Sequence, residues 1–203
     1  MTNKAILNFF YGCYFSAIVL FLVLPETIMP DFYKANFMIG TSVLSVALVF
    51  IFGYSFSTNS KKQNDVVEYC QAALAVSIGL NGIGGLGLYK LYKVGIPYDK
   101  IMHFVIPVIL LVFGAYFLVH RLNKTKKYAI IFMVIAIFVG SVLWEGVEVG
   151  QDRLFGTKTA GVYGEDYIND TILDIVSAIA GLAVGAYWLT RSRGKNMLSI
   201  EKI

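Results

Sequence analysis

The stretch DKIMHFVIPVILLVFGAYFLVHR (99–121) decides the fold. The stretch begins with the charged residues Asp99 and Lys100 and continues as an apolar run that ends at His120 and Arg121. A helix over 101–121 rises roughly 30 Å at about 1.5 Å per residue, which matches the hydrocarbon thickness of a bilayer. The stretch is therefore predicted to be a transmembrane helix.

Five further runs have the same character. The chain has 203 residues, of which 57% are hydrophobic and only 15% are charged. This composition leaves no room for a soluble domain beside the apolar runs. We predict an all-α, polytopic membrane protein whose residues 1–203 form a single six-helix transmembrane bundle. The predicted spans are 5–25, 36–56, 66–89, 101–121, 128–150 and 168–190.

The distribution of charge predicts the orientation. Alternate loops together with both termini hold eleven of the 17 Lys and Arg residues, and the remaining loops hold six. By the positive-inside rule, both termini are expected in the cytoplasm. Ten of the 13 acidic residues then lie on the outer side. The basic residues flank span ends, where they meet anionic lipid headgroups, so nucleic-acid binding is not expected.

Seven ionisable side chains lie at helical spacing in or beside the last three predicted spans. Their spacing is D-x3-H in the fourth span, E-x2-E followed by a further acid in the fifth, and D-x3-D in the sixth. Residues three or four apart share one helix face, so each helix carries one polar stripe. Ionisable groups at membrane depth are costly and indicate a functional site. The seven are Asp99, His103, Glu145, Glu148, Asp152, Asp170 and Asp174.

Counting from the cytoplasmic helix ends sorts these residues by depth. His103, Glu145 and Asp174 each fall roughly 25–27 Å from those ends at about 1.5 Å per residue, and they form a deep tier. Asp152 falls beside the predicted end of its helix and is expected to be a surface residue. An outer tier, roughly 30–33 Å from the same ends, consists of Asp99, Glu148 and Asp170.

So many carboxylates in one partly desolvated place require neutralisation. A divalent metal such as Zn²⁺, Mn²⁺ or Mg²⁺ is one interpretation, because carboxylates and an imidazole are its usual ligands. Shared protons, as in a relay or a cation-coupled transporter, are the second. The third is structural, since acids near helix N-termini interact favourably with the helix dipole and with water.

These motifs also carry a family resemblance. Asp99-Lys100-x-x-His103, Glu148-x-x-Gln151 and Asp170-x-x-x-Asp174 are similar to the pattern of VanZ-like membrane proteins. The stretch from Trp144-Glu145 to Asp174 more closely resembles the YjdF-type inner-membrane family, and the resemblance covers roughly residues 80–186. A VanZ-like role would imply glycopeptide resistance through an altered cell surface. Asp174 departs from that pattern, where asparagine is expected, and the YjdF-type family implies no established reaction.

The leading functional hypothesis is a metal-dependent hydrolase or transferase in the cytoplasmic membrane. It would act, on the extracytoplasmic side, on a lipid headgroup or a lipid-linked envelope precursor. His103, Glu145 and Asp174 are the predicted metal ligands, and the predicted catalytic residues are Asp99, Glu148 and Asp170. The alternatives are a proton- or cation-coupled transporter and a non-enzymatic protein that binds lipids or organises the envelope.

Overall fold

The computed structural model describes residues 2–23, 35–156, 167–191 and 196–199. Within these ranges it contains six long α-helices and one short 3-10 helix, η1. The six α-helices are each long and apolar enough to cross a membrane, which confirms the predicted all-α, six-helix transmembrane bundle. The elements are α1 (Asn3–Val23), α2 (Ala35–Phe56), α3 (Lys61–Gly85), η1 (Leu88–Val94), α4 (Tyr98–His120), α5 (Lys126–Phe155) and α6 (Tyr167–Thr190).

Three helices differ from their predicted spans by more than two residues at one or both ends. The third helix covers 61–85 rather than 66–89, because Gly87 adopts a φ of 137° that a right-handed helix cannot continue. The fifth helix runs past 150 to Phe155 and closes at Gly156, whose φ is 64°. The fourth helix begins directly after Pro97, so Asp99 and Lys100 lie in its first turn rather than in a loop.

The bundle is built from two groups of three helices. In the first group, α1 packs on α2 and α3; in the second, α5 packs on α4 and α6. The groups meet mainly where α3 packs against α4. The most extensive helix contact joins α4 and α6.

Helices α4 and α6 begin at the same end of the bundle, where α3 ends. The hydroxyl of Tyr98, the first residue of α4, donates a hydrogen bond of 2.7 Å to the carbonyl of Leu80 near the end of α3. We call this end, where the predicted site residues gather, the acidic end. At the opposite end, a buried apolar cluster that includes Leu111, Val119 and Leu189 holds α4, α5 and α6 together.

Candidate functional site

Six ionisable side chains from three helices meet at the acidic end, and we call them the charged cluster. Helix α4 supplies three of them, α5 supplies one from its second half, and α6 supplies two from its first two turns. All six lie in N-to-O contacts of 4 Å or less that link them into one group. The charged cluster consists of Asp99, Lys100, His103, Glu145, Asp170 and Asp174.

Lys100 is the cation at the centre of the charged cluster. Its Nζ atom donates hydrogen bonds to Oδ2 of Asp99 at 3.1 Å and to Oδ2 of Asp174 at 2.8 Å. It also forms a short ion pair with Asp170. One ammonium group therefore contacts three carboxylates on two helices, which partly offsets the cost of burying them.

His103 lies on the other side of the same carboxylates. Its Nε2 atom is 3.6 Å from Oδ1 of Asp99 and 3.7 Å from Oδ1 of Asp174. Its Nδ1 atom is 3.9 Å from Oε1 of Glu145. Asp99 thus directs one oxygen towards His103 and uses the other to accept a hydrogen bond from Lys100. Both oxygens of Asp174 contact Lys100, and its Oδ1 atom also faces His103.

Burial increases from the edge of the charged cluster to its centre. The side chain of Asp99 is 32% exposed, whereas Glu145 is 7% exposed and Asp174 only 1%. Oε1 of Glu145 and Oδ1 of Asp174 are buried and receive no hydrogen bond from the described part of the chain. The ammonium group of Lys100 nevertheless lies 2.7 Å from Oδ1 of Asp174. Because an unsatisfied buried carboxylate oxygen is costly, Oε1 of Glu145 is the better suited of the two atoms to a further ligand.

Small residues on α6 allow the close contact that brings these groups together. A Cβ added at Gly181 would collide with the main-chain carbonyl of Phe104 on α4. One turn further along, a Cβ at Gly185 would lie 3.0 Å from a side-chain carbon of Leu111. This is the contact expected of the Gly-x-x-x-Gly pattern.

A proline interrupts the hydrogen-bond ladder of α4 next to the charged cluster. Pro107 is buried inside the helix, four residues after His103. Because proline has no N–H, it cannot donate the helical hydrogen bond to the carbonyl of His103.

The two remaining predicted site residues lie outside the charged cluster. Glu148 is one turn beyond Glu145 on α5, and its Oε1 atom accepts a hydrogen bond of 2.8 Å from Nε1 of Trp144. Asp152 lies in the last turn of α5, roughly 10 Å along the helix axis from Glu145 at about 1.5 Å per residue. The prediction that Asp152 falls past the helix end is therefore wrong, because the helix continues to Phe155.

A cavity of about 650 Å³ opens beside the charged cluster. Its walls come from α1, α2, α3 and η1 on one side and from the starts of α4 and α6 and the last part of α5 on the other. Asp99, Glu148 and Asp170 line it together with Lys90 and Lys100, so three carboxylates and two lysines face a common space.

Sequence reasoning missed the role of Lys100. It counted this residue among the loop cations that set topology, whereas the structure places it inside α4 and among the acids. The sequence could have indicated this position, because Lys100 lies one residue after Asp99 and three before His103, at the start of the same helix. The assumption that each helix carries a single polar stripe excluded Lys100 from the site. A long, flexible lysine side chain can nevertheless reach a neighbouring helix.

Comparison of the chain with curated proteins and with solved structures gives no match. The weaker resemblance to VanZ-like proteins stays a prediction. The resemblance to the YjdF-type family is confirmed, since one family model matches most of the chain. The chain belongs to the family described as "Predicted membrane protein (DUF2238)", whose model matches residues 9–195.

Proposed function

We propose that this membrane protein is a metal-dependent hydrolase or transferase that acts on a lipid headgroup or a lipid-linked envelope precursor. The observation that supports the proposal is that the side chains of Asp99, His103 and Asp174 lie close together. Each offers one ligand atom, and the three atoms lie within 4.8 Å of one another. Atoms bound to one ion at roughly 2.0–2.2 Å lie at most about 4.4 Å apart, so a small inward shift would complete the geometry.

The hydrogen-bond pattern supports the same ligand set. Lys100 bonds to the Oδ2 atoms of Asp99 and Asp174, so their Oδ1 atoms remain directed towards Nε2 of His103. A divalent ion between these three atoms would leave the hydrogen bonds from Lys100 to the two Oδ2 atoms intact. It would share Oδ1 of Asp174 with Lys100, whose Nζ atom lies 2.7 Å from that oxygen, and would add positive charge beside this buried carboxylate.

Glu145 fits a supporting role better than that of a ligand. It lies near Nδ1 of His103, the ring nitrogen opposite the proposed ion. Histidine ligands usually donate their second N–H to a carboxylate, which fixes the tautomer and the ring orientation. We therefore place Asp99 rather than Glu145 in the proposed ligand set, together with His103 and Asp174.

The chemistry proposed for the site follows from its two kinds of group. A bound Zn²⁺ or Mn²⁺ would polarise a phosphate ester and lower the pKa of a bound water. Asp170, which lines the cavity from α6, is the proposed general base, and Glu148 faces the same cavity from one turn beyond Glu145. Lys100 lines the same cavity and would stabilise negative charge that develops on the substrate.

The test is metal binding followed by turnover. Protein purified in detergent is stripped with EDTA, reloaded with Zn²⁺, Mn²⁺ or Mg²⁺, and analysed for bound metal by mass spectrometry. We expect one ion per chain in the wild type and in the control Asp152→Asn, and at least tenfold weaker binding in His103→Ala and Asp99→Asn. Release of p-nitrophenol from bis(p-nitrophenyl) phosphate should follow metal content. Absence of stoichiometric metal from folded wild-type protein would overturn the proposal.

Proton or cation transport is the second candidate function. It is favoured by the buried oxygens of Glu145 and Asp174, which could hold a transient proton or cation. It predicts flux across liposomes containing the reconstituted protein, with loss of flux in Glu145→Gln. The metal-dependent proposal predicts no such flux.

A further inference from the structure

The cavity beside the charged cluster has one apolar wall and one charged wall. Helix α1 contributes a face that runs from Ile6 to Phe21 at spacings typical of one side of a helix. Those positions span 15 residues, so the face is about 22 Å long at roughly 1.5 Å per residue. This length covers most of the roughly 30 Å depth of the hydrocarbon region.

The size of the cavity indicates which class of molecule can bind in it. Its volume of about 650 Å³ lies within the range of roughly 300–1,000 Å³ typical of small-molecule sites. One extended hydrocarbon chain with a small headgroup belongs to this class of ligand, so we take a single lipid molecule as the occupant.

The charged residues that line the cavity indicate which chemical group of a ligand would bind there. Asp99, Glu148 and Asp170 line the cavity together with Lys90 and Lys100. The ammonium group of Lys100 is already shared among Asp99, Asp170 and Asp174. The carboxylates therefore outnumber the lysines, and the charged wall favours a positively charged group. A protonated amine satisfies carboxylates with both charge and hydrogen bonds, whereas a purely anionic head would be repelled.

We propose that the cavity binds a membrane lipid with its hydrocarbon chain along α1 and a primary ammonium group of its head against Glu148 on the charged wall. The inference deepens the proposed function, on which it rests, by naming an amine-bearing lipid as the substrate class. Such a lipid would bring its headgroup ester beside His103 and the proposed metal ligands.

Two glycines in α-helices provide a matched pair of variants for the apolar wall. Gly79 lines the cavity and Gly140 does not, and a Cβ at either position meets nothing within 4 Å. Gly79→Leu should therefore fill the cavity without disturbing the packing. Gly140→Leu, on an exposed face of α5, makes the same chemical change outside the cavity.

The experiment compares three lipids with identical acyl chains by native mass spectrometry of the detergent-purified protein. The probes are phosphatidylethanolamine, its N-acetyl derivative, which lacks the charge, and phosphatidylglycerol. We expect phosphatidylethanolamine to bind about tenfold more tightly than the N-acetyl lipid, as the loss of one charged hydrogen bond implies. Gly79→Leu should weaken binding of all three lipids at least tenfold, and Gly140→Leu should leave it unchanged.

The variant Glu148→Gln tests recognition of the lipid headgroup separately from binding of the hydrocarbon chain. It should reduce the preference for phosphatidylethanolamine severalfold while the N-acetyl lipid binds as before. Equal binding of the three lipids by wild-type protein, or equal binding by the two glycine variants, would overturn the inference. Repeating the lipid titration in EDTA distinguishes the two proposals. If the protein never binds metal but keeps its lipid preference, only the proposed function is overturned. If the protein binds metal but shows no lipid preference, only this inference is overturned.

Discussion

The Nζ atom of Lys100 lies 2.7 Å from Oδ1 of Asp174, and the two residues belong to helices that begin at the same end of the bundle. Helices that run in the same direction present their N-termini side by side. The partial positive charge of both termini therefore adds to that of Lys100 around Asp99 and Asp170, which lie in the first turns. The acidic end is thus partly neutralised by the fold itself.

Removal of Lys100 should destabilise the protein strongly. Lys100→Met leaves three carboxylates without their shared cation, and breaking a buried ion pair typically costs about 3–5 kcal/mol. We expect a clearly lower midpoint of thermal unfolding in detergent. Lys127→Met, which removes an exposed lysine at the other end of the bundle, is the control and should change little. If the two variants unfold alike, Lys100 does not hold the cluster together.

The close contact between α4 and α6 predicts opposite effects for one substitution at two glycines. Gly181→Ala places a Cβ against the Phe104 carbonyl and should destabilise the protein by about 1–3 kcal/mol. Gly140→Ala enters open space and should be neutral or stabilising by up to about 1 kcal/mol, because alanine favours a helix. Denaturant unfolding followed by circular dichroism measures both. Equal changes would contradict the contact.

The proposed metal site predicts a ligand-dependent increase in stability. A divalent ion at about 100 times its dissociation constant should stabilise the folded state by about 2.7 kcal/mol. The increase should disappear in His103→Ala and persist in Asp152→Asn. Differential scanning fluorimetry of EDTA-treated protein, with and without Zn²⁺ or Mn²⁺, provides the measurement. An increase of the same size in both variants would place the ion elsewhere.

The predicted orientation can be tested by cysteine labelling in whole cells. Ser60 precedes α3 and Val94 ends η1, and both are exposed at opposite ends of the bundle. In a background without Cys13 and Cys70, Val94→Cys should react with a membrane-impermeant maleimide in intact cells. Ser60→Cys should react only after permeabilisation. The reverse pattern would place the acidic end in the cytoplasm.

Helix number and much of the site could be predicted from sequence, because both depend on periodicity within single helices. The apolar runs determine the six spans, and the i, i+4 spacing of Asp99 and His103 determines a shared face. The distance of 3.7 Å between His103 and Asp174 depends instead on how two helices pack, which Gly181 indicates only as a tendency.

The residues that sequence reasoning misplaced are those whose position depends on a neighbouring helix or on one backbone angle. Lys100 could be assigned to the charged cluster only once α6 was placed beside α4. The span ends near Gly87 and Gly156 depended on positive φ values that apolar periodicity does not encode.

The arrangement of the helices in two groups of three has a consequence for how such proteins can diverge. All members of the charged cluster come from α4, α5 and α6, while α1, α2 and α3 supply most of the apolar wall. Under the proposed function, substitutions in the first half of the chain would change which hydrocarbon chain fits and leave the proposed reactive groups untouched. Selectivity and reactivity would then be encoded in separate halves of one gene product, and each could vary while the other is preserved.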